Sequence, residues 1–197
     1  MRPRARRQIR NASGPVLILA SASPRRRDIL TSAGIAFLVR PSETDESPRP
    51  GESPQEEVQR LGEAKARAVW CAGETTLGAD TVVVTGGQIL GKPVDAEDAR
   101  RMLRLLSGRA HSVLTAVCFF DGKKAQSAVE ETRVHFLKLS EQEITGYVSS
   151  GEPFDKAGAY AIQGGASKFV HRIEGCYFNV VGLPIAHVYS FIRSSLR

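Results

Sequence analysis

The sequence predicts an α/β fold built on a mixed sheet, and three observations carry that prediction. The apolar run Val16-Leu17-Ile18-Leu19-Ala20, a short polar turn and the helically spaced Asp28-Ile29-Leu30-Thr31-Ser32-Ala33-Gly34 read as buried strand, turn and helix. A capped helix from Ser53 and the apolar Val82-Val83-Val84 strand repeat that alternation. Residues 113–120 and 128–139 then follow as two long strands joined at Asp121-Gly122, which is the sequence pattern of antiparallel neighbours.

Taken in order, Pro24 suits the first turn of the first helix, where its missing N–H is not needed. Free backbone N–H groups at such a helix start attract anions, and Ser21, Ser23, Arg25 and Arg26 stand at the same place. Two readings are open there, a phosphate site or an ordinary capped helix with solvated arginines. Residues 35–39 read as a strand, and residues 40–54, rich in Pro, Ser and Glu, as an exposed loop carrying Glu43, Asp45 and Glu46. Ser53-Pro54-Gln55-Glu56 opens a helix expected to run to about Cys71 and stop at Gly73, with Lys65 beside its apolar face and able to reach inward.

Asp80 heads the next strand, and a buried carboxylate needs a partner, a proton or a metal. Gly86-Gly87 signals a hairpin that would return Lys92 toward Asp80, as a phosphate ligand or as a salt-bridge partner. Residues 86–92 nearly spell a P-loop, but Pro93 replaces the required Ser or Thr and a hairpin is the wrong context. Asp95 opens a helix stopping at Gly108, and Ser140-Glu141-Gln142-Glu143 is a capping box for another ending near Gly151. Residues 151–165, with Asp155, Lys156 and Gln163, read as a pocket-lining loop, although Asp155 and Lys156 are equally readable as a local ion pair. Strands are expected at 169–173 and 177–181, and a last helix after Gly182-Leu183-Pro184.

Composition narrows the class. Of 197 residues 42% are hydrophobic, enough for a core. The net charge of +6 is uneven: with Arg2, Arg4, Arg6, Arg7 and Arg10 set aside, 22 of the 27 basic residues face 21 acidic ones. Residues 1–15 therefore read as a basic disordered tail on a nearly neutral body, 16–197, with no nucleic-acid face. Three scattered cysteines suggest neither disulfides nor a zinc site, so a reducing, cytoplasmic setting is expected. No apolar run approaches membrane-spanning length.

Ser21-Ala22-Ser23-Pro24-Arg25-Arg26, Gly78-Ala79-Asp80-Thr81, Gly91-Lys92-Pro93, Asp155-Lys156-Ala157-Gly158-Ala159-Tyr160 and Gly182-Leu183-Pro184 occur here in the order seen in the Maf family. The chain resembles that family of nucleoside triphosphate pyrophosphatases from about residue 16 to 193. The resemblance implies an elongated mixed-sheet architecture similar to inosine triphosphate pyrophosphatases, with two lobes around a cleft. It implies cleavage of a nucleoside triphosphate to monophosphate and pyrophosphate with a divalent metal, Mg2+ or Mn2+. Asp80 would be the proton acceptor, and Arg25, Thr81 and Gln163 would govern substrate choice. The form Asp155-Lys156-Ala157-Gly158-Ala159-Tyr160-Ala161-Ile162-Gln163-Gly164 resembles the branch acting on dTTP and UTP, with modified pyrimidine nucleotides as further substrates. A house-cleaning and cell-division-arrest role is associated with the family, and a homodimer stays open. Gly62 departs from a usual Ala, and the arginine tail has no family counterpart.

Read as chemistry, Glu46 and Asp80 are candidate metal ligands. Ser21, Ser23, Arg26, Lys65 and Lys92 would carry phosphate charge, and the Gln163 amide offers the donor and acceptor that a uracil or thymine edge needs. A nucleotide-binding regulator of cell division without catalysis is the alternative, and it would not need Asp80. As an acid burdened by burial, Asp80 is expected to leave stability equal or slightly higher when neutralised.

Overall fold

A computed structural model describes residues 16–195; the expected basic tail lies outside the described residues. The element order is β1 (Val16–Leu19), α1 (Pro24–Ser32), β2 (Leu38–Val39), α2 (Pro54–Ala68), β3 (Glu74–Thr85), β4 (Gln88–Leu90), α3 (Ala96–Leu106), β5 (Ala110–Phe120), β6 (Ala125–Phe136), α4 (Glu141–Ser149), β7 (Val170–Glu174), α5 (Tyr177–Val181) and α6 (Ile185–Ser195). The strands form one seven-stranded mixed sheet in the order β2-β1-β3-β5-β6-β7, with β4 paired to β3 off that path. β1 runs parallel to β2 and β3, while β3, β5, β6 and β7 are antiparallel. No helix among the described residues is long and apolar enough to cross a membrane.

Local signals account for most boundaries. Ser53 and Ser140 each make the full capping box with Glu56 and Glu143. Gly86 and Gly87 both take positive φ in the β3–β4 turn, which suits the twist of a two-residue hairpin and excludes the P-loop. Two cores result. One gathers α3, α4, β7 and the far end of β3 around Leu103, Phe136 and Phe169. The other joins β1, α1 and α6 around Leu19, Leu30 and Leu183. Ile162 packs against both.

Several expectations need correction. The strand expected over 128–139 is Ala125–Phe136, and Asp80 lies in the middle of β3, not at its head, because the paired strand already begins at Glu74. Residues 177–181 form a helix, not a strand: a five-residue run with four apolar residues around Asn179 has no readable period, and Gly182, at φ 117°, returns its N–H to the Phe178 and Asn179 carbonyls as a helix stop. The Asn179 side chain ties that turn to the sheet, donating to the Val113 carbonyl at 2.9 Å and to Thr132 Oγ1 at 2.8 Å. The strand expected over 35–39 is only Leu38–Val39, because the Ile35 N–H closes the end of α1 on the Leu30 carbonyl and Phe37 packs into the core. α2 ends at Ala68, short of Cys71. The strand expected over 169–173 is Val170–Glu174, Phe169 belonging to a 3-10 turn, Gly165–Phe169.

α2 lies tight on β3. A Cβ on Gly78 would fall on the Gly62 carbonyl and 2.6 Å from Ala66 N, so only glycine lets helix and strand approach this closely. Gly62 itself is not so constrained: its added Cβ would meet Ala116 Cβ at 3.6 Å and Ala79 Cα at 3.8 Å, ordinary contacts. Gly62→Ala is therefore expected to raise stability by up to ~1 kcal/mol through helix propensity, seen as a higher Tm; a lower Tm would show that the site has no room.

Candidate active site

The site lies where the sheet comes apart. One edge of β3 is paired with β5 from Thr76 to Val84. The other edge is taken by β1 over Glu74–Leu77 and by β4 over Val83–Thr85. Between them, residues 78–82 have no strand on that edge, and Asp80 and Thr81 sit in this gap. In open α/β sheets such divergence is where a ligand crevice forms. Here it forms the floor of a cleft of about 760 Å³. Every residue singled out above for chemistry, from Ser21 to Gln163, is on the wall of that cleft.

Strand alternation sends Asp80 and Thr81 to opposite faces. Asp80 faces α2, where the buried Lys65 donates to its Oδ1 at 2.6 Å. The same ammonium lies 2.7 Å from Glu46 Oε1. Two carboxylates from separate elements thus converge on one cation. Burial pushes the Glu46 carboxyl up, but the Lys65 hydrogen bond and the charges of Lys65, Lys92 and Arg26 outweigh it and hold the group below its ordinary range. The Lys92–Asp80 salt bridge does not form: Lys65 takes that place, and Lys92 stands exposed beyond β4 with no ion pair among the described residues.

Thr81 faces Arg26. The guanidinium donates to the Gly182 carbonyl at 2.9 Å, to Ser21 Oγ at 3.1 Å and to Thr81 Oγ1 at 3.3 Å. Thr115 donates to the Asn179 carbonyl at 3.1 Å and lies 2.9 Å from Thr81 Oγ1, so the Thr81 hydroxyl proton goes to Thr115 and its oxygen accepts from Arg26. Burial pulls Arg26 down from its ordinary pKa, Asp80 opposes that, and Arg25 adds to it. Ser21 Oγ accepts from the Ser23 N–H at 3.2 Å as well as from Arg26, which leaves its own O–H free to donate into the cleft. Ser23 makes no side-chain cap at the start of α1. Arg25 reaches across to Asp155 at 3.2 Å, and Asp155 also pairs with Lys156. Burial raises the Asp155 carboxyl, but Lys156 and Arg25 bring it below the ordinary range.

Glu57 is a wall residue that was not singled out from sequence. It lies two turns before Lys65 on the inward stripe of α2, through Leu61, and only that spacing could have shown it. Burial, with the charges of Glu52 and Asp80, pushes its carboxyl up against the opposing pull of Arg60.

The profile of Maf-like proteins matches residues 16–195. A dTTP/UTP pyrophosphatase of Citrifermentans bemidjiense is 52% identical over 181 residues, covering 90% of this chain and 94% of that one. One of Anaeromyxobacter dehalogenans is 54% identical over 183 residues, covering 91% and 93%. Among solved structures, the Staphylococcus aureus Ham1 protein matches with a TM-score of 0.50 at 14% identity over 90% of this chain and 98% of that one, a likeness of fold. The mixed-sheet architecture is thus one already seen in a solved protein, and the chain belongs to the Maf family.

Proposed function

We propose that this chain hydrolyses nucleoside triphosphates, dTTP and UTP foremost, to the monophosphate and pyrophosphate in the cleft at the open edge of β3. The observation that carries the reading is Asp80, a carboxylate beside Lys65 in a cleft whose lining also holds Arg26, Lys92 and Gln163. The substrate class is supported by the relatives named dTTP/UTP pyrophosphatase.

Asp80 takes the proton of the water that attacks the α-phosphorus, and pyrophosphate leaves in line. Arg26, Lys65, Lys92 and the Ser21 hydroxyl hold the phosphate charge that builds up, which is usually the largest catalytic term. Gln163 reads the pyrimidine edge at the rim, and Arg25 and Thr81 shape the choice of substrate, Thr81 by fixing Arg26. Among the described residues no group of three His, Cys, Asp or Glu side chains could hold a metal by itself. Asp80 and Glu46 nevertheless converge, and two carboxylates completed by substrate phosphates suit a magnesium-type cation. Held there, a divalent ion would neutralise the polyphosphate and make the attacking water more acidic.

The test is a nucleotide panel with Mg2+ or Mn2+ that separates pyrophosphate from orthophosphate. Pyrophosphate is expected from dTTP and UTP. Orthophosphate as the first product, or no turnover of any triphosphate with several divalent metals, overturns the reading.

A further inference from the structure

The segment that carries Gln163 is held from behind by two groups that do not line the cleft. Residues 161–164 form a turn closed by the Gly164 N–H on the Ala161 carbonyl at 3.1 Å, with Gln163 exposed at its tip. On one side of the tip, the Ala161 N–H donates to the Tyr147 hydroxyl at 3.1 Å. On the other, the Gly165 N–H donates to Glu152 Oε2 at 3.0 Å. The two anchors are joined, since the Tyr147 O–H donates to Glu152 Oε1 at 2.8 Å. The ring of Tyr147 is buried in the core against Phe169, so the clamp has a rigid base. Gly164 lets it close, because a Cβ there would run into the Glu152 carboxylate.

We infer that Glu152 and Tyr147 are positioning residues for base recognition, fixing the turn on which Gln163 meets the pyrimidine; this rests on the reading of Gln163 proposed above. The donor arithmetic is strict. A carboxylate accepts at both oxygens, and here each oxygen has one donor. Burial, reinforced by the bond to Glu152, pushes the Tyr147 phenol up, so its oxygen keeps the proton it donates and still accepts from Ala161. A glutamine at 152 has one acceptor oxygen and turns an NH2 toward the other donor, so the clamp loses a bond while the side chain keeps its size. The turn then loosens by a fraction of its length, and base edges that differ only in donor and acceptor order are told apart less well. UTP and CTP are such a pair, with the same sugar and triphosphate.

The experiment measures kcat/KM for UTP and for CTP in wild type, Glu152→Gln, Tyr147→Phe, Gln163→Ala and the double variant Glu152→Gln/Gln163→Ala. Glu152→Gln and Tyr147→Phe are each expected to lower the UTP/CTP ratio about 10- to 100-fold, the scale on which a misplaced group acts. In the Gln163→Ala background, Glu152→Gln should leave the ratio where Gln163→Ala put it. Tyr147→Phe keeps the core ring and decides the matter if Glu152→Gln folds poorly. If Gln163→Ala lowers the ratio while both clamp variants leave it unchanged, or slow UTP and CTP alike, the clamp is only structural and the inference fails with the Gln163 reading intact. If Gln163→Ala leaves the ratio unchanged, both fail.

Discussion

Asp80→Asn is expected to abolish turnover, lowering kcat by roughly 10²–10⁴-fold for the lost general base and further through the loss of one of the two carboxylates proposed to hold the divalent ion. The substitution keeps the shape of the side chain and an oxygen within reach of Lys65, but that oxygen cannot take a proton from water. The sequence leads one to expect a buried acid, compensated by metal and lysines, whose neutralisation leaves stability equal or slightly higher. The structure points the other way, because Asp80 is one of two carboxylates on a buried ammonium, at 2.6 Å. Removing a partner from a buried pair costs about 3–5 kcal/mol when the remaining charge is stranded. Here Glu46 still faces Lys65 at 2.7 Å, so the expected fall in Tm is smaller than that range implies. Turnover, Tm and metal-free nucleotide affinity in one preparation check the claim, with affinity through Arg25 and Arg26 retained. Near-normal turnover removes Asp80 from the chemistry, and a collapse of Tm alongside lost turnover assigns it to the fold.

Lys92→Ala and Arg26→Ala should each lower kcat by about 10²–10³-fold, as the loss of one electrostatic contact to the transition state does. They should part company in stability. Lys92 is exposed and makes no ion pair among the described residues, so its removal is expected to shift stability by no more than ~0.5 kcal/mol. Arg26 ties together the end of β1, the gap in β3 and the end of α5 through Ser21, Thr81 and the Gly182 carbonyl. Its loss strands those acceptors, and Tm should fall with kcat. Arg26→Lys restores the charge but not the fork, so it should recover part of the rate and little of the Tm. A Lys92→Ala enzyme with unchanged kinetics returns that lysine to solvent.

Much of the fold was legible in the sequence because its signals are local. The two capping boxes, the glycine pair after Thr85 and the Asp121-Gly122 turn each specify a geometry through neighbours in the chain. Residues 177–181 were misread because what makes them helical is Asn179 bonding to β5 and β6, a contact that no periodicity reports. The site divides in the same way. The residue types around Asp80 and Arg26 pointed to side chains that do gather on one cleft. That Lys65 and not Lys92 faces Asp80 depends on how closely α2 lies on β3, which Gly78 permits and the helix pattern alone does not show. Glu57 was marked only by its helical spacing from Lys65, and Tyr147 and Glu152 act through bonds to residues 161 and 165 that their own sequence neighbours do not show.

The gap in β3 has a bearing on solubility as well as on chemistry. An exposed strand edge is a template for another chain, and long flat edges invite assembly into fibres. The open stretch 78–82 is bounded by β1 at one end and by β4 at the other, and it lies at the bottom of the cleft. An incoming strand needs a longer straight run and would meet both flanking strands before it could align. A small anionic molecule needs neither length nor alignment. The same interruption therefore leaves room for a small anion and turns away a polypeptide, which lets unpaired backbone persist in the middle of a sheet without offering a long edge for aggregation.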